Sequence, residues 1–183
     1  MFANHNYNVR QLTPERIPEA FPVVAVLDEQ ITAERWYDYA RAIVGPDGRS
    51  ENHGILTLED RQRCIMGLSV YVIRPDLWRG RVLVIENFAI VTLIGTQQAA
   101  SVLLAAIEHL ARDRACQCLA VSLLERTAGR SPDQNRGLTG RFFKGAGFRL
   151  DLARLSKCLE PTAPDRPGAA GAHVPLGYPG LHS

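Results

Sequence analysis

The stretch IENFAIVTLIGTQQAASVLLAAIEHLA, residues 85–111, changes its hydrophobic period half-way along. Its first part is apolar and rich in Ile, Val and Phe, the signature of a strand. From Gln97 onward, Ala100, Leu103, Leu104, Ile107, Leu110 and Ala111 recur at helical spacing, which predicts an amphipathic helix over 97–111. Gly95 marks the turn between them. The run CQCLAVSLL at 116–124 reads as a buried strand. A strand, a helix and a further strand of this kind predict a parallel crossover pair.

Working outward, GILTLED (54–60), RCIMGLSVYVIRP (63–75) and RVLVIENFAIV (81–91) are three strands. Asp60-Arg61-Gln62 turns between the first two, and DLWRGR with Gly80 joins the next pair, so an antiparallel meander is expected. YNVRQLT (7–13) is a first strand, and PERIPEAFPVVAVLD (14–28) a helix that Pro18 and Pro22 break or bend. TAERWYDYARAIV (32–44) is a firmer helix, with Thr32 as cap and Trp36, Tyr39, Ala40 and Ile43 on one face. After a polar loop at 125–137, LTGRFFKGAG (138–147) is a short helix stopped by Gly147, and FRLDLARLSKCL (148–159) a last strand or hairpin. From residue 160 the chain is rich in Pro and Gly and reads as a mobile tail, leaving one domain over 1–159.

Composition excludes several classes. A net charge of +2 is too weak to argue for a nucleic-acid partner. No apolar run approaches the ~18 residues of a membrane span, and MFANHNYNVRQL lacks the apolar core of a secretion signal. Cys64, Cys116, Cys118 and Cys158 lie in apolar segments, which suits reduced, buried thiols in a cytoplasmic protein. Cys116 and Cys118 sit within a strand without a second ligand pair, so no metal is expected.

The order β-α-α-β-β-β-α-β-α-β resembles the GNAT superfamily of acyl-CoA-dependent N-acyltransferases over about residues 7–159. IENFAIV and the helix after it are similar to that family's fourth strand and CoA-binding helix. RFFKGAGFRLD looks like its closing FYxxxGF element. The resemblance implies an α+β, three-layer fold with a mixed, mostly antiparallel central sheet flanked by helices on both faces. It also implies acetyl-CoA as co-substrate and a small-molecule or peptide primary amine as acceptor. A homodimer is common in the family, and nothing in the sequence tests it.

The resemblance assigns residues as well. The family's R/Q-x-x-G-x-G/A turn falls on Gly95, Thr96, Gln97, Gln98, Ala99 and Ala100, where only Ala100 matches; another register starts it at Gln97. The physical need is for backbone N–H groups at a helix N-terminus, which Thr96 to Ala100 supply, with Gln97 and Gln98 as added amide donors. The fourth-strand amides near Phe88, Ala89 and Ile90 would bind the thioester carbonyl. Arg130, Arg136, Arg141 and Lys144 border the nucleotide end. Glu86 takes the place of the general base, or else makes a structural bond at the sheet rim. Strict alternation groups Glu86 with Phe88 and Ile90, and Ile85 with Asn87 and Ala89, so that only one of Glu86 and Asn87 faces the cleft. The family's tyrosine acid is Phe143 here, and Cys118, Ser122 and Tyr71 are substitutes by position only. WYDY at 36–39 and His53 would line the acceptor pocket or, respectively, pack the helix and face solvent. The alternatives to transfer of acetyl are a non-catalytic sensor or interaction module, and an acyltransferase using a different thioester.

Overall fold

The computed structural model describes residues 2, 3, 6–46, 50–92, 95–122 and 141–149. Among these residues six strands form one sheet in chain order: β1 (Phe2–Ala3), β2 (Asn8–Gln11), β3 (His53–Glu59), β4 (Ile65–Asp76), β5 (Gly80–Ile90) and β6 (Cys118–Val121). Neighbours through β5 are antiparallel, and β6 is parallel to β5. The meander and the crossover are both present. β1 is an addition that the polar N-terminal sequence did not signal. The expected domain limit at 159, the last strand or hairpin, the loop at 125–137 and the tail lie outside the described residues.

The segment expected to be a helix that Pro18 and Pro22 break or bend is broken into three separate turns: two 3₁₀ turns, Pro14–Arg16 and Pro18–Ala20, and α1 (Phe21–Ala25). Each carries a proline within its first two positions. Proline has no N–H to donate and its ring clashes with the carbonyl four residues back, so it starts helices and cannot continue them. α2 (Ala33–Val44) is continuous. Thr32 Oγ1 accepts the Arg35 amide at 3.3 Å, and Gly45, at φ +68°, ends the helix. The buried stripe is Trp36, Ala40 and Val44; Trp36 Nε1 donates to the Ile17 carbonyl at 2.9 Å. Tyr39, expected on that stripe, lies at its margin and is 38% exposed.

α3 (Thr96–Asp113) crosses the other face of the sheet. Its side chains Leu103, Leu104 and Ile107 pack with Leu56, Leu58, Tyr71, Ile73, Leu83 and Ile85. On the α1 and α2 side, Trp36, Ala40 and Val44 meet Ile55, Leu68, Val70 and Ala89. The expected layers, helices on both faces of a mixed sheet, are observed. Among the described residues no helix is long and apolar enough to cross a membrane.

The β4–β5 contact is close at Gly67. A Cβ there would lie 2.6 Å from Ile90 Cδ1 and 2.9 Å from the Ala89 carbonyl oxygen. Ile90 can rotate; the backbone oxygen sits in the ladder and cannot. Gly67→Ala is therefore expected to destabilise the protein by about 1–3 kcal/mol, read as a lower urea midpoint with unchanged slope.

At the tip of the β4–β5 hairpin, Asp76 Oδ1 accepts the Trp78 and Arg79 amides, which hold its carboxyl below the usual range. Leu77 and Trp78 project from this tip and are each 89% exposed. At the other end of β4, the Glu59 carboxylate is 1% exposed and pairs with Arg16, with Arg10 at 3.9 Å and Arg63 at 3.8 Å. The described cysteines depart from the expected burial: Cys64 is exposed and Cys116 and Cys118 are half-buried, all as free thiols, and Cys158 lies outside the described residues. Cys64 follows the tight Asp60 turn, and Cys116 and Cys118 lie at or before the last described strand, positions the sheet covers poorly.

Candidate functional site

The site is organised by a β-bulge. β4 pairs Val70 with Asn87 and Tyr71 with Ile85, so Glu86 is an extra residue with no partner opposite. An inserted residue reverses the side-chain alternation that follows it. Leu83 and Ile85 belong to the α3-side core before the bulge, and Phe88 and Ile90 pack against that same core after it. Ala89 belongs to the α2 side. The strict alternation expected from sequence is thus overturned: Ile85 shares a face with Phe88 and Ile90, and Glu86 and Asn87 both fall on the α2 face. Asn87 Nδ2 donates to the Tyr39 hydroxyl there at 3.4 Å. Glu86 is half-buried, and no hydrogen bond or ion pair engages its carboxylate among the described residues.

The bulge also settles where the backbone points. Val91 donates its N–H to the Met66 carbonyl at 2.8 Å. Alternation back from Val91 directs the Ala89 amide to β4 and turns those of Phe88 and Ile90 away from it. Of the three strand amides predicted, two face outward and Ala89's is used in the ladder. On that outer side, β6 is described as pairing up to Val121 with Ile85, and the Ser122 amide donates to the Ile85 carbonyl at 2.8 Å.

β5 leads into the start of α3. Gly95, at φ +75° and ψ 27°, is the N-cap in the left-handed region that glycine adopts readily, and no side chain caps the helix. The Thr96 hydroxyl turns back to that of Thr92 at 3.1 Å. The first intrahelical bond is from the Ala99 amide to the Gly95 carbonyl at 3.0 Å. The predicted amide set therefore contracts. Among the described residues the N–H groups of Thr96, Gln97 and Gln98 have no partner, while Ala99 and Ala100 are 0% and 6% exposed and face the core. Gly95, Thr96, Gln97 and Gln98 are all exposed. These donors suit a diphosphate: several N–H groups point out of one exposed helix start, where the dipole is positive.

A helical segment at 141–145 closes against Phe88. Gly147, at φ +91°, ends it as expected: its amide donates to the Lys144 carbonyl and that of Phe148 to Phe143. Phe143 is 2% exposed, with ring centroids 5.3 Å from Phe88 and 5.0 Å from Phe148. Lys144 and Arg141 are exposed on this segment; Arg130 and Arg136 lie outside the described residues. Among the substitutes for the missing tyrosine, Tyr71 is sealed in the α3-side core, where it accepts from Gln11 Nε2 at 2.6 Å and burial pushes its phenol up. Cys118 pairs with Val82, well before the bulge. Only Ser122 is next to the bulge row. His53 lies towards the other end of β3, with Val72 as its partner. Tyr39 and Asn87 were harder to see, since their meeting depends on an insertion that hydrophobic periodicity does not reveal.

Neither a protein-family model nor a curated protein matches the sequence. Solved structures do. An aminoglycoside N-acetyltransferase AAC(6')-Iy in complex with CoA is similar at TM-score 0.67 and 12% identity, over 87% of this chain and 99% of that one. The glucosamine-6-phosphate N-acetyltransferase of Arabidopsis thaliana is similar at TM-score 0.59 and 13% identity, over 84% and 99%. A transcriptional regulator from Bacillus halodurans C-125 reaches TM-score 0.63 at 16% identity, over 84% and 99%.

The chain has the GNAT fold. In that fold, β5 and β6 are the parallel pair and α3 the helix that follows its first member. The turn between β5 and α3 carries one glycine and two exposed glutamines.

Proposed function

We propose that the protein transfers an acetyl group from acetyl-CoA to a primary amine by direct attack. The observation that carries this is the bulge at Glu86: it turns the Phe88 and Ile90 amides away from β4 and leads into the uncapped start of α3. Gly95, with the amides of Thr96, Gln97 and Gln98, holds the diphosphate, helped by the Gln97 and Gln98 side chains. Lys144 attracts the nucleotide end. The Phe88 and Ile90 amides hold the thioester oxygen as it gains negative charge, and fixed donors of this kind stabilise an oxyanion without reorganising.

Glu86, with Asn87 and Tyr39 beside it on the α2 face, receives the amine. Its carboxylate takes the amine proton directly or through a water as the C–N bond forms and the C–S bond breaks. The thiolate leaves as an anion, because Phe143 and its aromatic neighbours have no proton to give.

The same Phe143 cluster favours a second reading, a GNAT-fold sensor that binds CoA without transfer. Turnover on an amine panel excludes it; CoA binding without turnover supports it.

Gln97→Glu separates cofactor binding from folding. A carboxylate in the first turn favours the helix dipole by ~0.3–1 kcal/mol. The same charge repels a diphosphate. Calorimetry is expected to show CoA binding weakened at least about tenfold, with thermal stability unchanged or raised. Unchanged CoA affinity would remove the 95–98 turn from the site.

A further inference from the structure

A cavity of about 310 Å³ opens at the end of the sheet opposite the first turn of α3. It lies where β2 ends, β3 begins, and the C-terminal ends of α2 and α3 come together. The 18 residues of α3, at ~1.5 Å per residue, put Arg114 roughly 27 Å from the turn proposed for the diphosphate. Arg114 is therefore remote from that turn, while Ile55 on the opposite wall shares a cross-strand row with Val70 and Asn87; the volume is near the lower limit of the ~300–1,000 Å³ that small-molecule pockets occupy.

Its walls divide by chemistry. Leu12, Ile43 and Ile55 supply apolar surface; Glu51, His53 and Arg114 supply charge and donors. Ser50 Oγ lies 3.1 Å from His53 Nδ1, which fixes the imidazole ring. Gly54 belongs to the lining, and a Cβ on it would come 2.7 Å from the Tyr71 hydroxyl, so only glycine lets that hydroxyl pack against the strand here. Among the described residues, Arg114 has no carboxylate partner and Glu51 no cation. One unpaired cation and one unpaired carboxylate around a shared apolar wall are complementary to a small molecule that carries both charges and a short hydrocarbon group.

We propose that this cavity binds an aliphatic α-amino acid. The ligand carboxylate pairs with Arg114 in the bidentate manner that guanidinium favours. Its ammonium pairs with Glu51, and its side chain lies against Leu12, Ile43 and Ile55. A simple carboxylate would leave Glu51 unanswered, and a simple amine would leave Arg114 so.

The test uses the whole chain without CoA, so its outcome is independent of acyl transfer. Calorimetry would compare L-leucine with 4-methylpentanoate, which lacks the ammonium, and 3-methylbutylamine, which lacks the carboxylate. Saturable binding of leucine is expected, with a loss of at least about tenfold for each analogue and for Arg114→Gln and Glu51→Gln, the scale of a lost charge-assisted bond. Both variants lie on the surface and are expected to melt like the wild type and to bind CoA equally. No saturable binding of leucine, valine or isoleucine at about 20 mM, analogues binding as well as leucine, or either variant losing less than this, overturns the proposal.

Discussion

Glu86→Gln is expected to lower kcat on the best amine acceptor by ~10²–10⁴, the contribution of a positioned general base. The substitution keeps the size and hydrogen-bonding shape of the side chain and removes only its ability to take a proton. It touches neither the 95–98 turn nor the Phe88 and Ile90 amides, so the affinity for CoA should stay within about twofold of the wild type. The two readouts together make the test specific. A fall in kcat with intact CoA binding assigns the proton transfer to Glu86. Undiminished turnover would show that the amine reaches the thioester already deprotonated, or that another group removes the proton. Falling kcat with lost CoA binding would point to a disturbed bulge. The expectation depends on the bulge, since it is the extra residue that places Glu86 and Asn87 side by side on the α2 face.

The second large effect is on stability. Glu59→Gln is expected to cost about 3 kcal/mol, read from urea denaturation. The Glu59 carboxylate is 1% exposed and joins Arg16, 18% exposed, to the end of β3. Arg16 also donates to Glu19 at 2.7 Å and to the Arg63 carbonyl at 2.9 Å, and its guanidinium is held above its ordinary value first by Glu19 and then by Glu59. One carboxylate therefore pins the first proline-led turn to the β3–β4 hairpin. A neutral amide in its place leaves partly desolvated arginine with too little negative charge, and that penalty exceeds the net value of the pair itself. If so, Glu59→Gln combined with Arg16→Gln should lose less than the two single changes added together. Additive losses would mean that the pairing is incidental.

Much of the architecture was legible because it follows from period and punctuation. The meander strands are separated by Asp60 and Gly80 turns, and the 85–111 stretch switches period at Gly95. Both depend on local chemistry that survives folding unchanged. Gly147 likewise ended its helix where expected. What was not legible depended on pairing. The register slip that makes Glu86 an extra residue belongs to β4 and β5 together, and neither strand alone carries a trace of it. For the same reason Tyr39 read as a core residue, although only its partner on β5 explains its position. The prolines were seen to disturb the first helix, but their combined effect, three restarts within twelve residues, required the packing of each turn to be known. The opposed charges of Glu51 and Arg114 are 63 positions apart in sequence, and no local pattern joins them.

The chain contains two tryptophans, and the fold gives them opposite surroundings. Trp36 is 3% exposed with its indole N–H bonded to Ile17, whereas Trp78 stands on the hairpin tip at 89% exposure. The molecule thus carries a pair of optical reporters. Emission from Trp36 will shift to the red only when the layer under α2 comes apart. Trp78 will emit as a hydrated indole throughout, quenched by acrylamide in folded and unfolded protein alike, and so serves as an internal reference for the other.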